Sequence, residues 1–503
     1  MMTSGTTNTA SRLERPGALT NPLSPSRAIA GFFYLKLLEY VQMSKKLKII
    51  FGVGYVVVLG LIAFIYRFIT DFPIGDDPAI HISYANGPYL DLFKTNYPIP
   101  LIIFKFLGQI THVSYQSLFV TLVCTFLFLA GLAVWLLAKK ISGFNLVACL
   151  SGLFFVSAYW AYDGLRMGLL PETFGWLMLG LALYFLVSKN LVWATIFSLF
   201  LPLSHPYSFS IFVLTFIIYS IINLIFGKKE DRQFVLKMLA IYIGVIVAAL
   251  ILRPALLTRF SSFANPEVIG WGERNFFTWF TASQKRRIFL AIFAIVGLAS
   301  SFRFVKDQKY KLLFSLFFVG LFMAMNQYFD IRFQVFRFAP YLEMPLAIFA
   351  ALGIVYILEI FQLKRWPKYL ALAILSAIIL MPQVYANERV TYGMSQIPEN
   401  NNSMSKGDQE AIAWLKANST DKENIAAPYK WIIWVVALTG HTNVQSNERL
   451  YATGEWSSLV NDTTYIYWPT IIFPPKEQIF NNTKRYTKVF DSNGTVIFRV
   501  NYE

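Results

Sequence analysis

Residues 113–138 read VSYQSLFVTLVCTFLFLAGLAVWLLA, and Lys139 and Lys140 follow at once. No charge interrupts this run. The hydrocarbon core of a bilayer, about 30 Å thick, is crossed by a helix of about 20 predominantly apolar residues. Lipid offers the backbone no hydrogen-bond partners, so a run of this kind is expected to be helical. The same pattern returns at Ile49–Tyr66, Phe144–Tyr162, Pro206–Gly227, Leu312–Phe329 and Tyr369–Asn387. Over the whole chain 56% of residues are hydrophobic and 14% are charged, with mean hydropathy +0.50. A soluble domain carries nearer about a quarter charged residues. The sequence therefore predicts an all-α transmembrane bundle.

The formal charge of +16 has a topological reading. Lys and Arg concentrate between alternate apolar runs, and cytoplasmic loops are the ones enriched in both. Lys45, Lys46 and Lys48 precede the first run and predict a cytoplasmic N-terminus. Alternation then keeps Lys139 with Lys140, Lys189, Lys228 with Lys229 and Arg232, Arg303 with Lys306, Lys309 and Lys311, and Lys364 with Arg365 and Lys368 on that side. Lys285–Arg287, at the end of a long outer loop, is the exception. The predicted spans are about 49–69, 114–137, 144–162, 169–188, 191–204, 207–227, 235–256, 288–302, 311–328, 338–360 and 368–385. With about 11 helices the chain emerges outside. The short 191–204 could instead be re-entrant. Segment 97–110, interrupted by Pro98, Pro100 and Lys105, reads as an interfacial helix. No nucleic-acid-binding motif accompanies the basic charge, which excludes that partner. Cys124 and Cys149 sit inside apolar runs at a spacing that fits neither a metal nor a redox motif.

Three regions follow. Residues 1–43 form a polar tail, disordered by composition, and Met43 opens MSKKLKII as an alternative start. No cleavable signal peptide is expected, since the first apolar run is long and late. Residues 44–387 form the bundle with its outer loops. Residues 388–503 are expected to fold as a small extracytoplasmic α/β domain. In it 405–418 is predicted as an amphipathic helix capped by Ser405, and 423–428 and 494–500 as strands. Five N-x-S/T sequons, at Asn401, Asn418, Asn461, Asn481 and Asn493, all fall in this exported region.

Ionisable residues at the edges of spans are functional candidates by default, and here they gather at the outer level. DFPIGDDPAIHI (71–82) places Asp76 and Asp77 directly after the first run. A carboxylate there can act as a general base, and a pair can hold a hard divalent cation such as Mg or Mn. Gly-Asp-Asp-Pro is equally sound turn chemistry. AYDGLRMGLLPETFGW (161–176) contributes Asp163, Arg166 and Glu172. Pro171 suits a helix first turn and Glu172 the positive end of the helix dipole, so a capping role competes with a catalytic one. FDIRFQVFRF (329–338) spaces Arg332 and Arg337 among aromatics. Guanidinium forks grip phosphate, and arginines near helix ends also snorkel to the interface. His81, His205 in LSHPYSF, Arg253 and Glu343 complete the outer set; packing roles compete at each. No phosphate-binding loop of the GxxxxGK[ST] type and no HExxH motif is present.

GDDPAIHI after the first helix, GLLPETFGWLMLGLALYFL, LSHPYSF, the Arg-bearing run before the tenth helix and the exported AIAWLKANSTDKENIAA and ALTGHTNV segments together resemble the GT-C superfamily of polytopic glycosyltransferases. The resemblance lies over most of 44–450, in topology more than in identity, and is similar at a distance to protein O-mannosyltransferases. It implies a sugar moved from a polyprenyl- or dolichyl-phosphate donor to a glycan or protein acceptor on the extracytoplasmic face, with inversion of the anomeric carbon expected. It implies Asp76 or Asp77 as catalytic base or metal site, Asp163 with Glu172 as its fallback for a second acid, and Arg332 or Arg337 on the lipid phosphate. His81, His205, Arg253 and Glu343 are expected to bind substrate. The WWDYG-type motif of oligosaccharyltransferases is absent and 431–434 read WIIW, so transfer of one sugar is expected over transfer of a preassembled glycan. The competing readings are a transporter or lipid flippase, which needs polar groups and broken helices near the midplane, and a membrane scaffold with an exported binding domain.

Overall fold

The computed structural model describes residues 45–70, 72–73, 77–95, 97–158, 169–252, 288–329, 335–361, 365–396, 404–446, 450–451, 462–470 and 473–502. Of the candidate residues, Asp76, Asp163, Arg253 and Arg332 lie outside this set. Arg337 lies in a helix whose backbone alone is described there. Residues 1–57 and 58–503 form two compact units. In the first, the described residues are the beginning of helix α1 (Lys45–Ala63).

After Phe64 breaks the helix, α2 (Ile65–Ile69) ends the first run. The loop beyond is helical: α3 (Asp77–Asn86), the single turn α4 (Tyr89–Leu92) and α5 (Pro98–Thr111) follow. α5 occupies the segment expected to be interfacial, with Leu101, Phe104 and Lys105 buried and Phe106 and Ile110 exposed. The long run quoted above is α6 (Tyr115–Ser142), which starts on the side-chain cap of Ser114 and stops at Gly143 in the left-handed region (φ 79°). Its 28 residues reach about 42 Å at 1.5 Å per residue, more than the bilayer core requires.

The remaining bundle helices are α7 (Asn145–Ser157), α8 (Leu170–Val187), α9 (Leu191–Ser204), α10 (Pro206–Phe226), α11 (Lys229–Leu252), α12 (Ile288–Ser301), α13 (Gln308–Ala324), α14 (Val335–Ile360) and α15 (Arg365–Gln396). Among the described residues five helices are long and apolar enough to cross a membrane, within α6, α8, α10, α14 and α15. α7, α9 and α12 are apolar but shorter. α7 stops five residues before the expected end, where Asn387 Nδ2 on α15 donates to the Ser157 carbonyl at 3.0 Å. One extended residue, His205 (φ −160°, ψ 119°), separates α9 from α10.

Helices associate in lipid by close approach at small residues, because no hydrophobic force distinguishes a partner from the acyl chains. The α12–α14 pair shows this most sharply. A Cβ added to Gly297 would lie 1.7 Å from the Phe349 carbonyl oxygen, and one on Gly353 would lie 2.0 Å from that of Phe293. Gly180 on α8 meets Ala133 on α6 in the same manner, at 2.9 Å.

The C-terminal region is the small α/β domain expected. α16 (Lys406–Asn418) opens with a capping box, in which Ser405 Oγ accepts from the Asp408 N–H and the Asp408 carboxylate accepts from the Ser405 N–H. β1 (Asn424–Ala427), α17 (Tyr429–Thr439) and β2 (Val444–Ser446) form a parallel crossover unit; β3 (Thr463–Pro469), α18 (Glu477–Phe480), β4 (Tyr486–Ser492) and β5 (Thr495–Val500) complete it. The sheet order is β2-β1-β3-β5-β4, parallel from β2 to β3 and antiparallel beyond. Tyr451, Trp468, Ile479, Tyr486 and Phe498 build the core on the sheet.

Candidate active site

A helix begins at the second aspartate of the 71–82 stretch. Asp77 is the first residue of α3 and is half-buried. A carboxylate there faces the unpaired N–H groups and the positive dipole end of the helix. Pro78, next in line, needs no N–H partner in a first turn and has φ already set. The helix is held from several sides. His81, one turn after Asp77, is 2% exposed, stacks on Phe119 with ring centroids 5.9 Å apart and meets Tyr97 edge-on at 5.3 Å. Burial pushes its pKa down to about 3, so the imidazole is neutral. That placement makes His81 an anchor of α3 within the protein, with little surface left for the substrate contact expected of it. Beyond α3, the Lys105 ammonium donates to the Gly87 carbonyl and lies 4.6 Å over the Tyr89 ring, and Tyr89 Oη donates to Gln109 at 2.6 Å. The loop helices are thus tied to one another by α5.

A second cluster forms where α8, α10 and α14 meet. His205 Nδ1 lies 2.8 Å from Tyr341 Oη and 3.3 Å from Ser208 Oγ, and the two hydroxyls are 2.7 Å apart. All three residues are buried. The three groups form a closed hydrogen-bonded triangle, each within reach of the other two. Trp176 meets Tyr341 edge-on at 6.5 Å. Gly175 makes the approach of α8 possible, since a Cβ there would be 2.3 Å from Ser208 Oγ and 2.7 Å from His205 Cβ. Glu172 lies one turn before Trp176, in the first turn of α8, and Glu343 lies two residues after Tyr341; both are 1% exposed. Two carboxylates so deeply enclosed mark a polar interior at this end of the bundle, because desolvating a charge is costly without compensating partners.

The sequence reading missed Tyr341, Ser208, Trp176 and Arg67. Arg67, in α2, donates to Ser117 Oγ at the start of α6 at 3.3 Å. An arginine directly after an apolar run is a visible signal and places one more cation at the end of the first run. For the divalent cation, Asp77 is the one described carboxylate of the proposed pair, and among the described residues no three His, Cys, Asp or Glu side chains converge as ligands.

No family model matches the chain, and no curated protein matches it either. Solved structures do. The crystal structure of ArnT from Cupriavidus metallidurans bound to undecaprenyl phosphate aligns at TM-score 0.54 and 10% identity, covering 90% of this chain and 98% of that one. The apo structure of the same protein aligns at TM-score 0.55 and 11% identity, covering 89% and 97%. The cryo-EM structure of the arabinofuranosyltransferase AftD from mycobacteria aligns at TM-score 0.56 and 11% identity, covering 92% of this chain and 40% of that one. The chain therefore shares the fold of these structures, the fold expected from its resemblance to the GT-C superfamily. With its long apolar helices, this makes the chain an integral membrane protein.

Proposed function

We propose that the protein is an integral membrane glycosyltransferase that moves one sugar from a polyprenyl-phosphate donor to a hydroxyl acceptor at the extracytoplasmic face. The observation that carries the reading is the likeness, over 90% of this chain, to a protein solved with undecaprenyl phosphate bound, together with an acid at the head of the first-loop helix. The cytoplasmic N-terminus and the outward position of the C-terminal domain rest on the distribution of Lys and Arg.

In the proposed reaction the donor enters laterally from the outer leaflet. Arg332 and Arg337 hold the phosphate and stabilise the charge that develops on it as the glycosidic C–O bond breaks. Asp77, or Asp76 beside it, accepts the acceptor hydroxyl proton. The acceptor oxygen attacks the anomeric carbon from the face opposite the leaving phosphate, so a single displacement inverts the centre and releases polyprenyl phosphate. Asp163, with Glu172 as its fallback, supplies the second acidic group, and His205, Arg253 and Glu343 shape the donor site. Alternatively, in a metal-dependent reaction, Asp76 and Asp77 would hold a Mg or Mn ion, whose chemistry is to neutralise phosphate charge. The buried His205–Tyr341–Ser208 triangle keeps α10 and α14 in register, so that position 337, one turn before Tyr341, has a fixed place.

Binding is testable without knowledge of the sugar. Undecaprenyl phosphate added to the purified protein in nanodiscs should raise its melting temperature in a concentration-dependent way. A ligand at 100 times its dissociation constant stabilises by about 2.7 kcal/mol. No shift at any concentration, with a normal melting transition, contradicts the proposed donor class.

A further inference from the structure

We infer that the crossover helix α17 of the C-terminal domain is a positioning element for the first-loop acid, clamping α3 through Trp434, Phe72 and Asn86. The inference rests on the glycosyltransferase reading for the role of Asp77, and on geometry for the clamp. α17 joins the parallel strands β1 and β2, so one side of it must cover the sheet. It nevertheless packs extensively on α3 as well. Among its described side chains none is exposed: Trp431, Trp434, Val435 and Ala437 are buried, and Ile432, Ile433, Val436 and Leu438 are half-buried. A helix apolar all round is one covered on more than one side.

The contacts bracket α3. At its C-terminal end, Asn86 Nδ2 donates to the Ala437 carbonyl at 2.7 Å. Before its N-terminal end, Phe72 packs on the Trp434 ring with centroids 5.0 Å apart. Trp434 is 1% exposed, and its indole N–H has no acceptor among the described residues. A buried tryptophan that forgoes its hydrogen bond is there for its shape and area. Asp77 stands between these two fixed points. Its distance from an acceptor oxygen therefore depends on α17, and a misplacement of about 1 Å is enough to cost about 10²-fold in rate. The C-terminal domain acts on the reaction through the loop acid as well as through any acceptor it binds.

Hydrogen exchange and transfer kinetics on the full-length protein in nanodiscs test the clamp together. In Trp434→Ala, amides of Asp77–Asn86 should exchange at least about tenfold faster, as expected when a packed segment becomes locally free to open. Transfer at saturating donor should fall about tenfold or more with donor KM unchanged, since geometry and not binding is lost. Trp434→Phe keeps a ring against Phe72 and should recover most of the rate. Asn86→Ala, which leaves the C-terminal domain intact, should accelerate exchange in the same segment about fivefold, the equivalent of one hydrogen bond. Protection of the β3–β5 pairing reports whether that domain stays folded. Unchanged exchange over 77–86 in both variants overturns the clamp, and so does faster exchange with an unaltered rate. Absence of transfer by the unaltered protein counts against the glycosyltransferase reading alone, because the exchange measurement reads the docking by itself.

Discussion

Asp77→Asn lowers transfer at saturating donor and acceptor by about 10²–10⁴-fold, the contribution typical of a positioned general base. The substitution conserves shape, and an amide oxygen, like a carboxylate, can accept from an N–H group at a helix start. Loss of a carboxylate that merely complements the helix dipole would cost about 0.3–1 kcal/mol of stability and leave the rate unchanged. The two roles are thus separated by the size of the rate effect and by its independence from the melting temperature. Rates and melting curves for the purified variant check this. An active Asp77→Asn enzyme removes the residue from the mechanism.

Gly353→Ala is expected to be the most damaging small substitution in the bundle. The added Cβ would meet the Phe293 carbonyl oxygen at 2.0 Å and the Gly297 nitrogen at 2.9 Å. Both are backbone atoms of α12, so no side-chain rotation relieves the clash, and the helices must separate. Overpacking a core costs about 1–3 kcal/mol where side chains yield; here the cost should reach at least the upper end. Gly297→Ala should behave alike, for its Cβ would meet the Phe349 carbonyl. Gly244→Ala is the control, since nothing lies within 4 Å of a Cβ there. Thermal unfolding in detergent, followed by size-exclusion chromatography, should show the first two variants melting well below the third. Equal melting temperatures would mean that the α12–α14 contact is looser than described. α14 also carries Tyr341 and Glu343, so the same variants should impair the site.

The bundle was legible because lipid imposes a simple rule: uncharged runs of sufficient length form helices. That rule placed α6, α8, α10 and α14 closely. It saw only part of α15, predicted over 368–385 and found over Arg365–Gln396, because beyond Asn387 the helix continues in polar sequence that no apolar-run criterion marks. The rule also says nothing of short helices buried by protein. α17 was passed over since WIIWVVAL has neither helical nor strand periodicity, the consequence of being covered on more than one side. α3 is not marked by an apolar run, although Asp-Pro is good first-turn helix chemistry; it is the burial of Pro78, Ala79, Ile82 and Ala85 that accompanies the helix. At the site, His205 was conspicuous as a break between two apolar runs. Its partners Ser208 and Tyr341 were not, since a hydroxyl three residues along and another 136 residues away become a triangle only through packing. Gly175 carries no chemistry at all, and its importance appears only when a Cβ is placed on it.

The most direct test of the account is sugar release by the purified protein in nanodiscs. Radiolabelled polyprenyl-phosphate hexoses and pentoses would be supplied with cell-envelope acceptor material, and labelled product and free polyprenyl phosphate measured together. The account predicts that at least one donor is converted, with polyprenyl phosphate formed in equal amount to transferred sugar. Conversion of none, by protein that melts cooperatively and binds undecaprenyl phosphate, would contradict it and favour a transporter of the lipid.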